Sequence, residues 1–125
     1  MVNIVSTSRY PVGKKRIRVI VQNELERAKI SPDVTLNIVF IGRRKMKDIS
    51  QQYKNENEAL PVLSFSYTQE SSIQSVIPVG EGETLIGEVL ICYPQAILLA
   101  AQRNRAVDKV IDELVLHGVK NIVTK

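Results

Sequence analysis

Apolar residues along the first half of the chain recur with two different periods, which predict alternating strands and helices. Residues 2–5 form a short apolar run typical of a strand. Residues 14–30 carry apolar side chains at helical spacing, which predicts a first helix that ends at Ser31-Pro32-Asp33. Residues 34–40 alternate with a period of two, which predicts a strand with one well-buried face.

The second half continues this alternation. A helix should begin after Gly42, and residues 60–67 read as a strand, in which Pro61 favours either a sheet edge or the entry to the strand. Further predicted elements are a strand at 73–79, a turn at 80–83, a strand at 85–93 buried on both faces, and helices at 95–104 and 106–117. Gly118 then reads as the end of the last helix.

Composition is that of a globular protein: 44% of the 125 residues are hydrophobic and 24% are charged. We expect a single domain, residues 1–125, in a cytoplasmic protein without a membrane partner, because neither an apolar run of about 18 residues nor a secretory signal is visible. Cys92 is the one cysteine, which excludes an intramolecular disulfide and a cysteine-rich zinc cluster.

The formal charge of +4 favours polyanionic partners. Four of the cations crowd the start of the second predicted helix: Arg43, Arg44, Lys45 and Lys47. They could contact RNA phosphates, together with a second basic segment at residues 9–18 if the two segments meet in space. The alternative is that both are simply solvated helix starts.

Two segments carry a resemblance to a known family. They read Leu-Pro-Val-Leu-Ser-Phe-Ser at residues 60–66 and Ile-Gly-Glu-Val-Leu-Ile-Cys at residues 86–92. They resemble the paired strand signatures of the YbeY family of ribosomal-RNA maturation proteins, and further matches in the same order extend from Val34 to Gly118. The resemblance implies an α/β fold in which helices surround a mixed sheet, with a histidine-bearing helix near a cleft.

The activity implied by the resemblance is metal-dependent endoribonuclease action. In this family it matures ribosomal RNA, particularly the 3′ end of the small-subunit RNA, and serves ribosome quality control. The implied partner is ribosomal RNA or a ribosomal subunit. The alternative is a catalytically inactive relative that binds RNA or the ribosome. A zinc peptidase is disfavoured, because the sequence has no His-Glu-x-x-His pattern.

The family's metal pattern, H-G-x-L-H-L-x-G-x-D-H, uses three histidines to hold a metal that is usually assigned as zinc. Read onto this chain, His117 and Gly118 match, Asn121 stands at the second histidine, and the third would fall beyond Lys125. Because a catalytic zinc takes about three protein ligands, the resemblance predicts an impaired site with His117 as its metal ligand and candidate catalytic residue. The alternative is a structural His117 in the last turn of a helix, with Gly118 as its cap.

Two other positions match family residues with a change of side chain. Lys54 stands where the family often has an arginine that is considered part of the RNA-cleaving site, so it is a candidate catalytic and RNA-binding residue. Lysine keeps the charge but lacks the planar fork that suits phosphate, and a solvated surface lysine is the competing interpretation. Glu88 stands in place of an aspartate, and either orients a ligand or faces water.

Overall fold

The computed structural model describes residues 1–67 and 84–124, which form a four-stranded sheet with helices on both faces. The elements in chain order are β1 (Val2–Val5), α1 (Lys14–Arg27), β2 (Val34–Ile41), α2 (Arg43–Lys54), β3 (Val62–Ser66), β4 (Thr84–Cys92), α3 (Tyr93–Arg103) and α4 (Val107–Val123). This order confirms the predicted α/β class. The strand and turn predicted at 73–79 and 80–83 lie outside the described residues.

The sheet is mixed, with the strand order β1-β2-β4-β3. Strands β1, β2 and β4 are parallel, so that Ile4, Ile38 and Val89 lie side by side. Strand β3 pairs antiparallel with β4 and forms one edge. Pro61 precedes this edge strand and accepts a hydrogen bond of 2.9 Å from the Cys92 amide. A proline has no N–H to donate, so this position at the entry to an edge strand suits it.

Two hydrophobic layers cover the two faces of the sheet. The first layer holds side chains of α1 and α4 together with Leu36, Ile38 and Phe40 of β2. The second holds Met46 of α2 together with Val39 of β2 and side chains of β3 and β4. Burial of one such side chain contributes about 1.5–3 kcal/mol. The helices are therefore held on opposite faces by ordinary apolar packing.

Strand β2 is buried on both faces, which corrects the prediction of one well-buried face. Its central place in the sheet gives it neighbours on both sides, and α2 covers the face assigned to solvent. As a result Thr35 and Asn37, on that second face, are 3% and 1% exposed. Strand β4 is also central, and its predicted burial on both faces is confirmed over Gly87 to Cys92.

Helix α1 ends at Arg27, three residues before the predicted end. Lys29 adopts the left-handed conformation, with φ of 59°, and its amide donates to the Glu26 carbonyl. The amide of Ile30 donates to the Leu25 carbonyl at 2.9 Å. These two bonds make the Schellman arrangement that terminates many helices, although glycine usually occupies the left-handed position.

Helices α3 and α4 follow β4 without a long connection. Pro94 lies within the first two positions of α3, as predicted, and Asn104 ends that helix in the left-handed conformation, with φ of 52°. Pro94 fits there because the first amides of a helix have no partner within it. In the described ranges, 1–67 and 84–124, no helix combines the length and apolar character needed to cross a membrane.

Candidate functional site

Helix α4 carries His117, the candidate metal ligand, at an exposed position. The prediction that this helix ends at Gly118 is wrong, because the helix continues to Val123. Gly118 is buried, and a Cβ atom on it would lie 2.5 Å from Cγ1 of Val89. This glycine therefore allows α4 to approach β4 closely and does not cap the helix. The added turn keeps Asn121 on the same helix.

His117 and Asn121 form a side-chain pair on one face of α4. The Asn121 amide nitrogen Nδ2 lies 3.4 Å from Nε2 of His117. The contact shows that these two positions share one face of the helix.

The part of the chain that the structure describes supplies no cluster of ligands that would complete a three-ligand metal site with His117. Over residues 1–67 and 84–124 no group of three or more His, Cys, Asp or Glu side chains could hold a metal. Cys92, whose thiolate could have helped, is fully buried in the α2 layer, on the face opposite to α4. Burial also raises the pKa of its thiol, despite the opposing influence of the Gln95 amide and Arg43. We therefore derive no reaction step through a metal.

Lys54 is the last residue of α2 and is exposed. Its neighbour Tyr53 packs edge-on against Phe65 of β3, with ring centroids 5.2 Å apart. Asn55 then ends the helix in the left-handed conformation, with φ of 54°. Phe65 pairs in register with Glu88 of β4, so Tyr53 joins the end of α2 to this level of the sheet.

Helix α4, which carries His117, packs on one face of the sheet. Its Gly118 lies against Val89 of β4. Helix α4 belongs to the first hydrophobic layer, and α2, which ends at Lys54, belongs to the second. The two helices that carry the candidate residues therefore pack on opposite faces of the sheet.

The basic residues of α2 contribute to a surface groove, which we call the α2–α3 groove. It has a volume of about 600 Å³ and is walled by α2, α3 and the connection before β3. Arg43, Arg44 and Lys47 line it, whereas Lys45 and Lys54 lie outside it. The structure thus brings three of the five predicted RNA-binding residues into one concave surface.

No residue of the second basic segment, residues 9–18, lines this groove, although Tyr10 lies beside Gly42 at the start of α2. Helix α1 packs on the face of the sheet opposite to α2. Within α1, Arg16 donates from Nε to both carboxylate oxygens of Asp112 at 3.1 Å, and its Nη2 lies 3.7 Å from Asp108. Arg16 therefore ties α1 to α4 and is not free to contact phosphate.

A row of polar side chains crosses the sheet on the α2 face, and sequence reasoning missed it. Asn3 donates to Oδ1 of Asn37 at 3.1 Å, and Asn37 donates to Glu88 at 3.1 Å. Tyr67 donates to the other oxygen of Glu88 at 2.7 Å. Glu88 is fully buried, which excludes the water-facing alternative. Two donors on one carboxyl group satisfy the acceptor-only chemistry of a carboxylate.

The buried environment of Glu88 also changes the pKa of its partner Tyr67. Burial, followed by the hydrogen bond to Glu88, raises the pKa of Tyr67 well above its ordinary value. The available signal in the sequence was the presence of polar residues at matching positions of three predicted strands. Alternation alone cannot identify such a row, because the same spacing fits a solvent-facing side.

Comparison with known proteins agrees with the geometry of the fold. The family model described as Endoribonuclease YbeY matches residues 5–122. The chain belongs to the YbeY family. The matched region includes the candidate residues Lys54, Glu88, His117 and Asn121. The family is one of ribosomal-RNA-processing endoribonucleases and is metal-dependent in general.

Curated relatives carry the same description. A protein named Endoribonuclease YbeY from Dehalococcoides mccartyi strain 195 is 30% identical over 112 residues, which cover 86% of this chain and 65% of the relative. The YbeY of strain BAV1 is 28% identical over 117 residues, covering 90% of this chain and 73% of the relative. The chain thus spans about two thirds of the length of these YbeY proteins.

A solved structure supports the fold. The solution structure of a Thermotoga maritima protein has a TM-score of 0.59 to this chain, with 21% sequence identity. The match covers 98% of this chain and 72% of the other. At this identity the likeness concerns the fold of the YbeY domain and not its chemistry.

Proposed function

We propose that this YbeY-family chain acts on ribosomal RNA, in maturation of the 3′ end of the small-subunit RNA and in ribosome quality control, with an impaired metal site. The observation that carries the impairment is the His117–Asn121 pair. An amide nitrogen lies 3.4 Å from the imidazole Nε2, at the place where the family pattern has a second imidazole. The chain therefore binds its RNA better than it cleaves it.

Loss of one histidine weakens zinc binding strongly, because hydrolytic zinc sites use about three protein ligands and one open position for water. An amide oxygen is a weak ligand for zinc compared with imidazole. Hydrolysis by the chain is accordingly slow.

Lys54 supplies the second part of the proposed site. It is exposed at the end of α2, where its ammonium group can attract a phosphate that passes the β3 edge. An ammonium group acts as a point charge, whereas a guanidinium forms two parallel bonds to a phosphate. Lys54 therefore contributes to RNA binding more than to stabilisation of the transition state.

The second candidate is a catalytically inactive relative that binds RNA or the ribosomal subunit. This candidate is favoured because His117 is already in contact with Asn121, whereas the arginines of α2 are exposed and can contact RNA. The two candidates differ in one measurable property, the residual cleavage that depends on His117. Binding of RNA is common to both.

The test compares zinc content and RNA cleavage in four proteins: the unmodified chain, Asn121→His, Asn121→His with Lys54→Arg, and Asn121→His with His117→Ala. We expect Asn121→His to raise zinc affinity, Lys54→Arg to raise cleavage of a single-stranded RNA further, and His117→Ala to abolish both gains. Measurable His117-dependent cleavage by the unmodified chain separates a weak enzyme from an inactive relative. One tightly bound zinc per unmodified chain, with rapid cleavage, would refute the impaired site.

A further inference from the structure

The α2–α3 groove joins three kinds of surface that the cleavage proposal does not use. Among the described residues that line it, the cations are Arg43, Arg44 and Lys47 and the carboxylate is Glu58, which leaves a formal excess of two positive charges. Its amides include Gln95 and Gln102, and its apolar wall includes Leu98, which is 46% exposed. Such a mixture suits a ligand with both charged and flat, weakly polar parts.

The cations occupy positions that are unfavourable for the helix itself. Helix α2 begins at Arg43, has no acidic residue in its first turn and has no side-chain hydrogen bond at its cap. Positive charges at a helix amino terminus oppose its dipole. In residues 1–67 and 84–124 the ion pairs involve other cations, namely Arg16, Arg27 and Arg105. An anionic ligand would turn this unfavourable arrangement into a favourable one.

The groove has a fixed wall. The Gln95 side chain donates from Nε2 to the carbonyl of Ala59 at 2.6 Å, which ties the connection before β3 to α3. Ala59 is itself 8% exposed. Because Arg43 and Lys47 are four residues apart, they lie on one face of α2 with their Cβ atoms about 5–6 Å apart. A fixed concave wall with two cations at this spacing can follow successive phosphates of an extended strand.

We propose that the α2–α3 groove anchors the phosphate backbone of single-stranded RNA, at a distance from the place where cleavage would occur. The groove cations lie in the first half of α2 and Lys54 is its last residue, so a helical rise of about 1.5 Å per residue places them roughly 10 to 16 Å from Lys54 along the helix. The anchor rests on the proposed function for its ligand class, and it acts without a metal and without His117.

Binding is measured by fluorescence anisotropy with a labelled single-stranded RNA of about twenty nucleotides, over a series of salt concentrations. The groove variant is Arg43→Gln with Arg44→Gln and Lys47→Gln. The matched control removes the same charge from exposed cations outside the groove and outside both basic segments: Lys29→Gln with Lys109→Gln and Lys120→Gln. Addition of a metal chelator to the unmodified chain serves as a second control.

We expect the groove variant to bind RNA about tenfold or more weakly and to lose roughly 2 units of salt slope, since each contact to a single strand contributes about 0.7. The charge control, and the unmodified chain with chelator, should bind nearly as the unmodified chain does alone. The groove variant should also unfold at the same or a higher temperature, because it loses two charges in the first turn of α2 that oppose the helix dipole. Reduced binding with undiminished stability is the signature of a ligand site.

Three results would overturn the anchor. Equal weakening in the charge control would mean that net charge alone attracts RNA, and undiminished binding by the groove variant would exclude the groove. Tighter binding of polyglutamate than of RNA, lost in the groove variant, would assign the groove to an acidic protein partner. If the unmodified chain binds no RNA at all, the proposed function fails together with the anchor, whereas the first two results remove the anchor alone.

Discussion

Replacing Gly118 by alanine tests whether the close approach of α4 to β4 sets the position of His117. The added methyl carbon would lie 2.5 Å from Cγ1 and 3.1 Å from Cγ2 of Val89. Carbon atoms attract best at about 3.5–4.0 Å, so either α4 or Val89 must move. Overpacking costs about 1–3 kcal/mol, and the better helix propensity of alanine returns about 1 kcal/mol. We expect a net loss of about 1 kcal/mol.

Urea unfolding of the single and double variants measures this packing directly. Val89→Ala removes both methyl groups that would collide and costs about 2 kcal/mol by itself, from about 0.8 kcal/mol for each buried methyl plus the cavity. In the double variant the alanine at position 118 partly fills that space. We therefore expect the loss of stability in the double variant to be smaller than the sum of the two single losses, by about 1 kcal/mol or more.

The outcome for His117 completes the test. Because α4 must move, the imidazole resonances of His117 in an NMR spectrum should shift in Gly118→Ala and return towards their original positions in the double variant. Lys120→Ala, at an exposed position of the same helix, should change stability by less than about 0.5 kcal/mol. If Gly118→Ala stabilises the protein by its helix propensity alone, or if the two substitutions are additive, the packing argument is wrong.

Three further predictions concern the buried carboxyl group and the origin of stability. Tyr67→Phe removes a 2.7 Å donor from Glu88 and should cost about 1.5 kcal/mol in urea unfolding, the lower end for a bond to a charged group because Tyr67 is only partly buried; a loss near zero would contradict this. Because burial raises the pKa of Tyr67, the contribution of Tyr67 to the free energy of unfolding should be complete below its unfolded pKa of about 10 and decline at higher pH. The difference in stability between the unmodified protein and the Tyr67→Phe variant should therefore narrow in alkali. Treatment with a metal chelator should leave the thermal midpoint unchanged, because two apolar layers hold the sheet; a fall of several degrees would show a structural metal.

The hydrophobic pattern was sufficient to predict the order of the described elements, and Pro61 does lie at the predicted edge or entry of a strand. It could not predict the end of α1, because Lys29 adopts a conformation that sequence rules assign to glycine. The predicted helix end at Gly118 was wrong for the opposite reason, since a glycine after a helical pattern fits both a helix cap and a close contact with a strand. Choosing between them requires knowing that Val89 lies opposite.

The candidate site shows the same limit. The shared helical face of His117 and Asn121 was not predicted, because the predicted end of the helix at Gly118 left Asn121 outside it, whereas α4 continues to Val123. The burial of Glu88 depends on Asn37 and Tyr67, which are distant in sequence and meet through strand pairing. The packing of α2 and α4 on opposite faces likewise follows from the path of the chain, which residue spacing does not contain.

The strand order has a consequence for folding of the protein while a ribosome synthesises it. Strand β4 is inserted between β2 and β3, although β3 precedes it in the chain. Strand β2 ends at Ile41 and its partner ends at Cys92, so the growing chain must be extended through about fifty residues before the sheet can close. At roughly 5–20 residues per second this takes about 3–10 s, during which the unpaired backbone edge of β2 and its apolar side chains are open to other chains. The nascent β1-α1-β2-α2 segment is therefore where a chaperone would be most needed.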